Sequence, residues 1–109
     1  AAAAACEAQW NVTLRPLWAN TVYGGHAALR ASSNIVFTNG NLDPWSGMGV
    51  LDDVNPTVVA ITVEGGAHHL DLMFSHPLDS DGVKAARETE KTHMWKWIRE
   101  ANAARGNNV

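Results

Sequence analysis

Two side chains that could move a proton together follow two apolar runs of the sequence. Asp43 lies five residues beyond the run 34–38, and His68 lies five residues beyond the run 58–63. A carboxylate can orient an imidazole and stabilise its protonated form, while the imidazole accepts and donates the proton. Pro44 disfavours helical dihedral angles at Asp43, which helps to fix its carboxylate on an extended loop. The pattern indicates acid–base chemistry.

The spacing of these residues leaves other interpretations open. A single Asp before Pro is commonly a turn former, and a single His is commonly a satisfied surface or core residue. His68, His69 and Asp71 also carry groups that bind zinc or iron. Adjacent residues of an extended chain point in opposite directions, however, and the sequence has no obvious second ligand cluster. We therefore expect no metal and no cofactor.

Both apolar runs predict strands of a parallel sheet. Residues 34–38 and 58–63 are rich in β-branched side chains, and their continuous apolar character is typical of strands that are covered on both faces. The intervening residues 39–57 exceed the dozen or so that a parallel crossover requires. Asn39-Gly40 could instead close a β-hairpin, but Pro44 would interrupt the returning strand. Because reactive groups gather beyond the carboxyl ends of such strands, we expect Asp43 and His68 to meet.

Residues 82–103 predict one long helix. Six apolar residues recur at helical spacing: Val83, Ala86, Met94, Trp97, Ile98 and Ala101. Three residues before the helix could cap it, namely Asp79, Ser80 and Asp81, and Gly106 follows its expected end. We expect the charges of this segment to form a solvated face and one of Trp95 and Trp97 to pack. The predicted order of elements is part of an α/β fold.

Length and composition exclude several classes of protein. The 109 residues allow one small domain, and 46% apolar with 17% charged residues excludes a disordered tail. The net charge of −3 argues against nucleic-acid binding. No apolar run approaches the roughly 20 residues that span a bilayer. The charge is uneven, since residues 1–83 hold two basic and eight acidic residues while residues 84–109 hold six basic and three acidic.

The first residues carry two covalent features. Ala1–Ala5 lacks the basic region of a secretory signal and is expected to form a helix end without function. Asn11 begins the N-glycosylation pattern Asn11-Val12-Thr13. Cys6 is the one cysteine, so any disulfide partner would lie outside this chain. Trp45 could line a substrate cleft, although core packing is the commoner role of a Trp.

No serine of the chain lies on a nucleophile elbow. In α/β-hydrolases the triad follows the chain order Ser, Asp, His, and the Ser occupies a G-x-S-x-G turn. Five serines lack the flanking glycines: Ser32, Ser33, Ser46, Ser75 and Ser80. If Asp43 and His68 are catalytic, the nucleophile therefore lies outside these residues.

Two long segments resemble a known family. The segments NIVFTNGNLDPWSG (34–47) and EGGAHHLDL (64–72) are similar to signature segments of a proline-specific serine peptidase family. That family contains lysosomal Pro-Xaa carboxypeptidase, dipeptidyl peptidase II and thymus-specific serine protease. The resemblance covers nearly the whole chain after the alanine run. The chain differs from the family at Met73, where Arg is usual, and at Met48, where Gly is common.

The resemblance implies a fold and a division of the chain. It implies the C-terminal portion of an α/β-hydrolase fold, with the last two parallel core strands, their loops and the closing helix. The family also carries a helical cap domain inserted in this core. Residues 34–109 would be this part of the core, and residues 1–33 would be a leading segment, either a loop or a connection from the cap domain. Cys6 matches a family cysteine that is expected to pair with one upstream.

The resemblance also implies a function. Asp43 and His68 match the Asp and the His of the family's catalytic triad. The choice of His68 over His69 rests on this resemblance, because the alternating directions of side chains along the loop cannot decide between them. The full-length protein would be a lysosomal or secreted serine exopeptidase, a carboxypeptidase or a dipeptidyl peptidase, that cleaves peptides after proline. This chain alone would be inactive, and a homodimer of the full-length enzyme is compatible with the family. The alternative from another class is a non-catalytic hydrolase-like fragment or binding module.

Overall fold

The computed structural model describes residues 2–106, and these fall into two compact units. One unit ends at Ala31 and the other begins at Ser32. No helix within the described residues is long and apolar enough to cross a membrane.

The first unit consists of three short helices. They are α1 (Ala2–Trp10), α2 (Trp18–Tyr23) and α3 (Gly25–Ala31). Alanine has the highest helix propensity, so the alanine run forms the body of α1 rather than only a helix end. Gly24 ends α2 with a left-handed φ of 79°, the usual glycine stop. None of the three helices has a buried residue. Their sequences therefore do not need the apolar stripe by which a helix is predicted from sequence, and α2 and α3 were not predicted.

The second unit contains a two-stranded parallel sheet. Strand β1 (Ile35–Gly40) pairs with β2 (Val58–Val63), in a register that runs from Ile35 opposite Val58 to Gly40 opposite Val63. The parallel pairing is confirmed, and a hairpin at Asn39-Gly40 is excluded because both residues lie inside β1. The connection contains a short 3-10 helix, Pro44–Met48. Since both strands end at the same level, both following loops start at the same edge of the sheet.

The predicted long helix is confirmed as α4 (Asp81–Ala104). Ser80 caps it, because its hydroxyl accepts a hydrogen bond from the Val83 N–H at 3.3 Å. Trp97 is buried and Trp95 is exposed, as the different helix faces predicted. Met94 and Ile98 from the predicted apolar face are each about half exposed.

The core lies where α4 meets the carboxyl end of β2. Val63, Val83 and Ala86 form its buried centre, and Ile61 and Leu70 pack against them. Most residues of the two strands are only partly buried among the described residues. Within this unit, α4 is the one α-helix available to cover the sheet.

Candidate active site

Asp43 sits where the loop after β1 turns into the 3-10 helix. Its backbone is extended, with φ −90° and ψ 115°, as expected for a residue before Pro44. One carboxylate oxygen, Oδ1, caps the helix by accepting a hydrogen bond from the Trp45 N–H at 2.9 Å. The residue is 8% exposed. The cap therefore fixes the carboxylate and leaves Oδ2 for a second partner.

That second partner is His68, in the loop after β2. The distance from His68 Nδ1 to Asp43 Oδ2 is 2.7 Å. Because an ionised carboxylate only accepts hydrogen bonds, Nδ1 carries the proton and donates it. Nε2 is then the free lone-pair nitrogen of a ring whose side chain is 52% exposed. The structure thus brings the two predicted residues into contact. In this arrangement Nε2, the nitrogen that could accept a proton, faces away from the carboxylate.

The pair also determines the charge of Asp43. The hydrogen bond from His68 holds the pKa of the Asp43 carboxyl below its usual value of 3.8, and the Trp45 N–H lowers that pKa further against the effect of burial. Because its pKa is lower in the folded state, Asp43 stabilises the fold at pH values above the pKa that its carboxyl has in the unfolded chain. This stabilisation is lost as the pH falls through the lowered pKa. Asp43 therefore stays ionised in a mildly acidic compartment.

Backbone and side-chain hydrogen bonds tie the two loops together. The Leu42 N–H donates to the Gly66 carbonyl at 3.0 Å, which continues the pairing beyond the strands. The Asn41 side chain accepts from the Gly65 N–H at 2.8 Å and donates to a Glu64 carboxylate oxygen at 2.6 Å. The loop that carries Asp43 is thereby attached directly to the segment that leads to His68.

Gly40 allows the close approach of these loops. A Cβ atom at this position would overlap the backbone of Gly66 and come within 2.7 Å of the Ala67 carbonyl oxygen. Any side chain would push the two strand ends apart. The last residue of β1 therefore has to be glycine for Asp43 to reach His68.

His69 and Asp71 do not join this pair. The His69 ring lies against the His68 ring, with centroids 3.7 Å apart, and its backbone has a left-handed φ of 37°. Asp71 is 4% exposed and lies near Glu90 of α4. Among residues 2–106, no three His, Cys, Asp or Glu side chains form a group that could hold a metal ion.

The remaining predicted residues are accessible or half-buried. Trp45 follows the capped Asp43 and is 60% exposed, so its indole is not part of the core of this unit. In the first unit, Asn11 is exposed directly after α1, and Cys6 on α1 is a half-buried free thiol. The departures from the family pattern, Met48 and Met73, are both exposed. Of the residues in the second unit, Trp45 contacts the Asp43–His68 pair through its backbone N–H, which donates to Asp43 Oδ1.

The prediction of a solvated charged face on α4 is wrong for two residues. The Arg87 side chain is 13% exposed and hydrogen bonds the loop after His68. Glu90, one turn later, is half-buried beside Asp71. Helical spacing places both residues close to the buried face of α4, Arg87 because it follows Ala86 and Glu90 because it lies one turn later. The spacing cannot show which hydrogen-bond acceptors from the rest of the chain lie opposite them.

The half-buried Glu90 lies beside the buried Asp71, so two carboxyl groups face each other. One oxygen of each, Asp71 Oδ2 and Glu90 Oε1, has no hydrogen-bond donor among the described residues. Burial, followed by the hydrogen bond with Asp71, raises the pKa of the Glu90 carboxyl above 4.5, although Arg87 opposes this. The contribution of Glu90 to stability is therefore complete below pH 4.5 and is lost as the pH rises through the raised pKa.

Glu90→Gln should remove this pH dependence. The neutral amide can donate to Asp71 at any pH, so the free energy of unfolding at pH 7 should rise by about 1 kcal/mol, a typical net value for one hydrogen bond. At pH 4 the variant and the wild type should be equal within error. Urea denaturation of the full-length protein at both pH values measures the difference. Glu88→Gln on the exposed face is the control, and an equal gain at both pH values would contradict the raised pKa of the Glu90 carboxyl.

The fold and the site together define a class of protein. A parallel sheet with a hydrogen-bonded Asp–His pair on the loops beyond its carboxyl edge is the arrangement found in α/β-hydrolases. The profile described as "Serine carboxypeptidase S28" matches residues 5–90 of the chain. The chain belongs to the serine carboxypeptidase S28 family.

Individual relatives agree with this assignment. The chain is 50% identical over 95 residues to "Lysosomal Pro-X carboxypeptidase" of Homo sapiens, and this match covers 87% of the chain and 19% of the relative. It is 45% identical over 94 residues to "Prolyl carboxy peptidase like protein 5" of Caenorhabditis elegans, covering 84% and 18%. It is 25% identical over 81 residues to "Thymus-specific serine protease" of Mus musculus, covering 74% and 16%. The chain therefore spans about a fifth of the length of the curated relatives it matches.

Proposed function

We propose that the full-length protein is a serine exopeptidase that cleaves peptides after proline, with Asp43 and His68 as two members of its Ser-Asp-His triad. The observation that carries this proposal is the 2.7 Å hydrogen bond between His68 Nδ1 and Asp43 Oδ2. It joins the loops beyond two parallel strands in a chain of a serine peptidase family. The capped, ionised Asp43 and the free Nε2 of His68 suit these roles.

The reaction follows from this geometry. His68 Nε2 takes the proton from a Ser hydroxyl supplied by another part of the protein, while the Ser oxygen attacks the carbonyl carbon of the proline residue. The C–N bond then breaks, and His68 donates the same proton to the leaving amine. Water attacks the acyl-enzyme in the same way, with His68 again as base and then acid. Asp43 remains ionised and stabilises the imidazolium in both halves of the reaction.

The substrate class comes from the relatives. The human relative at 50% identity is named a Pro-X carboxypeptidase. We infer that this protein removes the carboxyl-terminal residue that follows a proline, rather than an amino-terminal dipeptide. The name of the human relative also favours a lysosomal location of this protein over secretion. We propose that the exposed Trp45, two residues from Asp43, contacts the substrate.

The remaining features fit a piece of a larger hydrolase. We propose that residues 34–109 are the C-terminal portion of its α/β core and that residues 1–33 lead into this core. Cys6, half-buried and free within the described chain, would pair with a cysteine elsewhere in the full-length protein. Asn11, exposed after α1, would carry the glycan. From the family resemblance, we also propose that the full-length enzyme forms a homodimer.

Active-site labelling combined with matched peptides tests the proposal on the full-length protein. A fluorophosphonate probe should label one serine, which peptide mapping locates. An amino-terminally blocked peptide ending in Pro-Phe should lose its Phe, whereas the same peptide ending in Ala-Phe should be cleaved at least about 100-fold more slowly, as expected for a site shaped to proline. An Xaa-Pro arylamide with a free amino terminus is the substrate that a dipeptidyl peptidase would cleave and a carboxypeptidase would not.

Each outcome of this experiment bears on one part of the proposal. Absence of labelling would overturn the serine mechanism and favour a non-catalytic module. Labelling with release of arylamide but no release of Phe would replace the carboxypeptidase by a dipeptidyl peptidase. Equal cleavage of the Pro and Ala peptides would overturn the specificity for proline.

A further inference from the structure

Arg87 is the most heavily bonded side chain near the candidate site. Its Nε donates to the Asp71 carbonyl at 2.7 Å, and its Nη2 donates to the Leu70 and Met73 carbonyls, each at 3.1 Å. Its Nη1 forms an ion pair with the Asp79 carboxylate. One guanidinium group therefore binds four acceptors on the segment between β2 and α4.

These acceptors belong to the loop that begins at His68. Leu70, Asp71 and Met73 follow His68 by two, three and five residues. The turn that contains His68 is linked to them by backbone hydrogen bonds, from the Leu70 N–H to the Ala67 carbonyl at 3.4 Å and from the Leu72 N–H to the His69 carbonyl at 3.1 Å. Arg87 thus holds the far side of the same turn against α4.

His68 itself has few other restraints. Its side chain is half-exposed, and among the described residues Asp43 is its one hydrogen-bond partner. Its ring also contacts the ring of His69, which belongs to the same loop, so the position of the imidazole depends on the backbone of that loop. A shift of about 1 Å in a reacting group can cost around 100-fold in rate.

We propose that Arg87 is a positioning residue for His68: by anchoring the loop after β2 to α4, it keeps Nδ1 in hydrogen-bond contact with Asp43. The proposal rests on the proposed function for its catalytic consequence, but not for the Asp43–His68 contact itself. Arginine suits this role because its planar fork presents five N–H donors in fixed directions. A Lys at this position has three donors on one atom and cannot reach all four acceptors together.

Asp79 completes the anchor. Its side chain is 8% exposed, accepts the Arg87 Nη1 donor and also accepts the His76 N–H at 2.8 Å. The His76 N–H, and then Arg87, hold the pKa of the Asp79 carboxyl below its usual value, so the partner of Arg87 stays charged in mild acid. Arg87 is thereby bound by the Asp79 carboxylate as well as by three carbonyl oxygens, and its partners extend from Leu70 to Asp79.

Three variants of the full-length protein test this role: Arg87→Met, Arg87→Lys and Lys84→Met. Lys84 lies one turn earlier on α4, is about half exposed and makes a 3.7 Å ion pair with Asp81, so it is a matched control for the loss of a positive charge. The first readout is the low-field proton resonance of the His68 Nδ1–H, which is identified by its loss in Asp43→Asn. The second is kcat per fluorophosphonate-labelled serine, and the third is Tm.

Arg87→Met should broaden or abolish the low-field resonance. It should lower kcat per labelled serine by about 10- to 100-fold while KM changes by less than about threefold, since the change affects positioning of the base rather than substrate binding. Arg87→Lys should recover part of both signals, and Lys84→Met should leave all three unchanged. If Arg87→Met does not fold, Arg87→Lys and Asp79→Asn carry the comparison.

A wild-type resonance and a wild-type kcat per labelled serine in variants with lowered Tm would overturn the proposal and leave Arg87 a purely structural residue. Failure of the proposed function gives a different result. If the wild-type protein is not labelled, the peptidase mechanism fails, while the resonance in the Arg87 variants still decides whether Arg87 positions His68.

Discussion

His68→Ala should abolish peptidase activity of the full-length protein, with a fall in kcat of roughly 10⁵- to 10⁶-fold, as expected when the base of a triad is removed. The reason is the geometry of one ring: Nδ1 is held by Asp43 at 2.7 Å, and Nε2 is the nitrogen that would take the proton of the serine. The exposed position of the ring makes an effect on stability small by comparison. Steady-state turnover of the blocked Pro-Phe peptide measures the effect.

The neighbouring histidine supplies the control. His69 lies against His68 but forms no hydrogen bond with Asp43, so His69→Ala should lower kcat by no more than about tenfold. Fluorophosphonate labelling should slow in His68→Ala and persist in His69→Ala. A larger loss in His69→Ala than in His68→Ala would show that the base has been assigned to the wrong residue.

Topology made the meeting of Asp43 and His68 predictable. Two β-branched runs separated by residues 39–57 favour a parallel pair, which the structure confirms, and parallel strands end at the same edge. Each predicted residue lies five positions beyond its run, so both loops had to start beside each other. Chain order and strand pairing therefore predict that Asp43 and His68 lie close together, and the structure shows that they form a hydrogen bond.

The choice between His68 and His69 could not come from the same reasoning. Both rings follow two glycines and an alanine, and the alternation of an extended chain does not apply in this turn. The structure shows a left-handed backbone at His69, which directs only the His68 ring to the carboxylate. A positive φ is more common at Asn, Asp and His than at other non-glycine residues, but both candidates here are His, so residue type cannot tell which of them adopts it.

The anchoring of the loop was hidden for another reason. Arg87 and Glu90 look like members of a solvated face because their helix is rich in charge. Their partners are backbone carbonyls and a carboxylate from a loop that is distant in sequence, which no pattern within the helix records. Helices α2 and α3 of the first unit were missed because they have no buried face, and sequence-based prediction of helices depends on an apolar stripe.

Asp43→Asn should lower kcat by about 10⁴-fold with little change in KM. The amide oxygen can still accept the Trp45 N–H and preserve the cap of the 3-10 helix, so the fold of the loop should survive. The amide nitrogen, however, would donate to His68 Nδ1 and leave the ring proton on Nε2. In that tautomer the imidazole cannot accept the proton of the serine.

Two further variants separate this effect from loss of charge or of structure. Asp52→Asn removes the same charge from the exposed connection between the strands and should leave kcat unchanged. Asp43→Ala loses the cap as well as the orientation of His68, so its Tm should fall below that of Asp43→Asn while its kcat is similarly low. If Asp43→Asn retained more than about a tenth of the wild-type kcat, the carboxylate would be a structural cap and the tautomer of His68 would not depend on it.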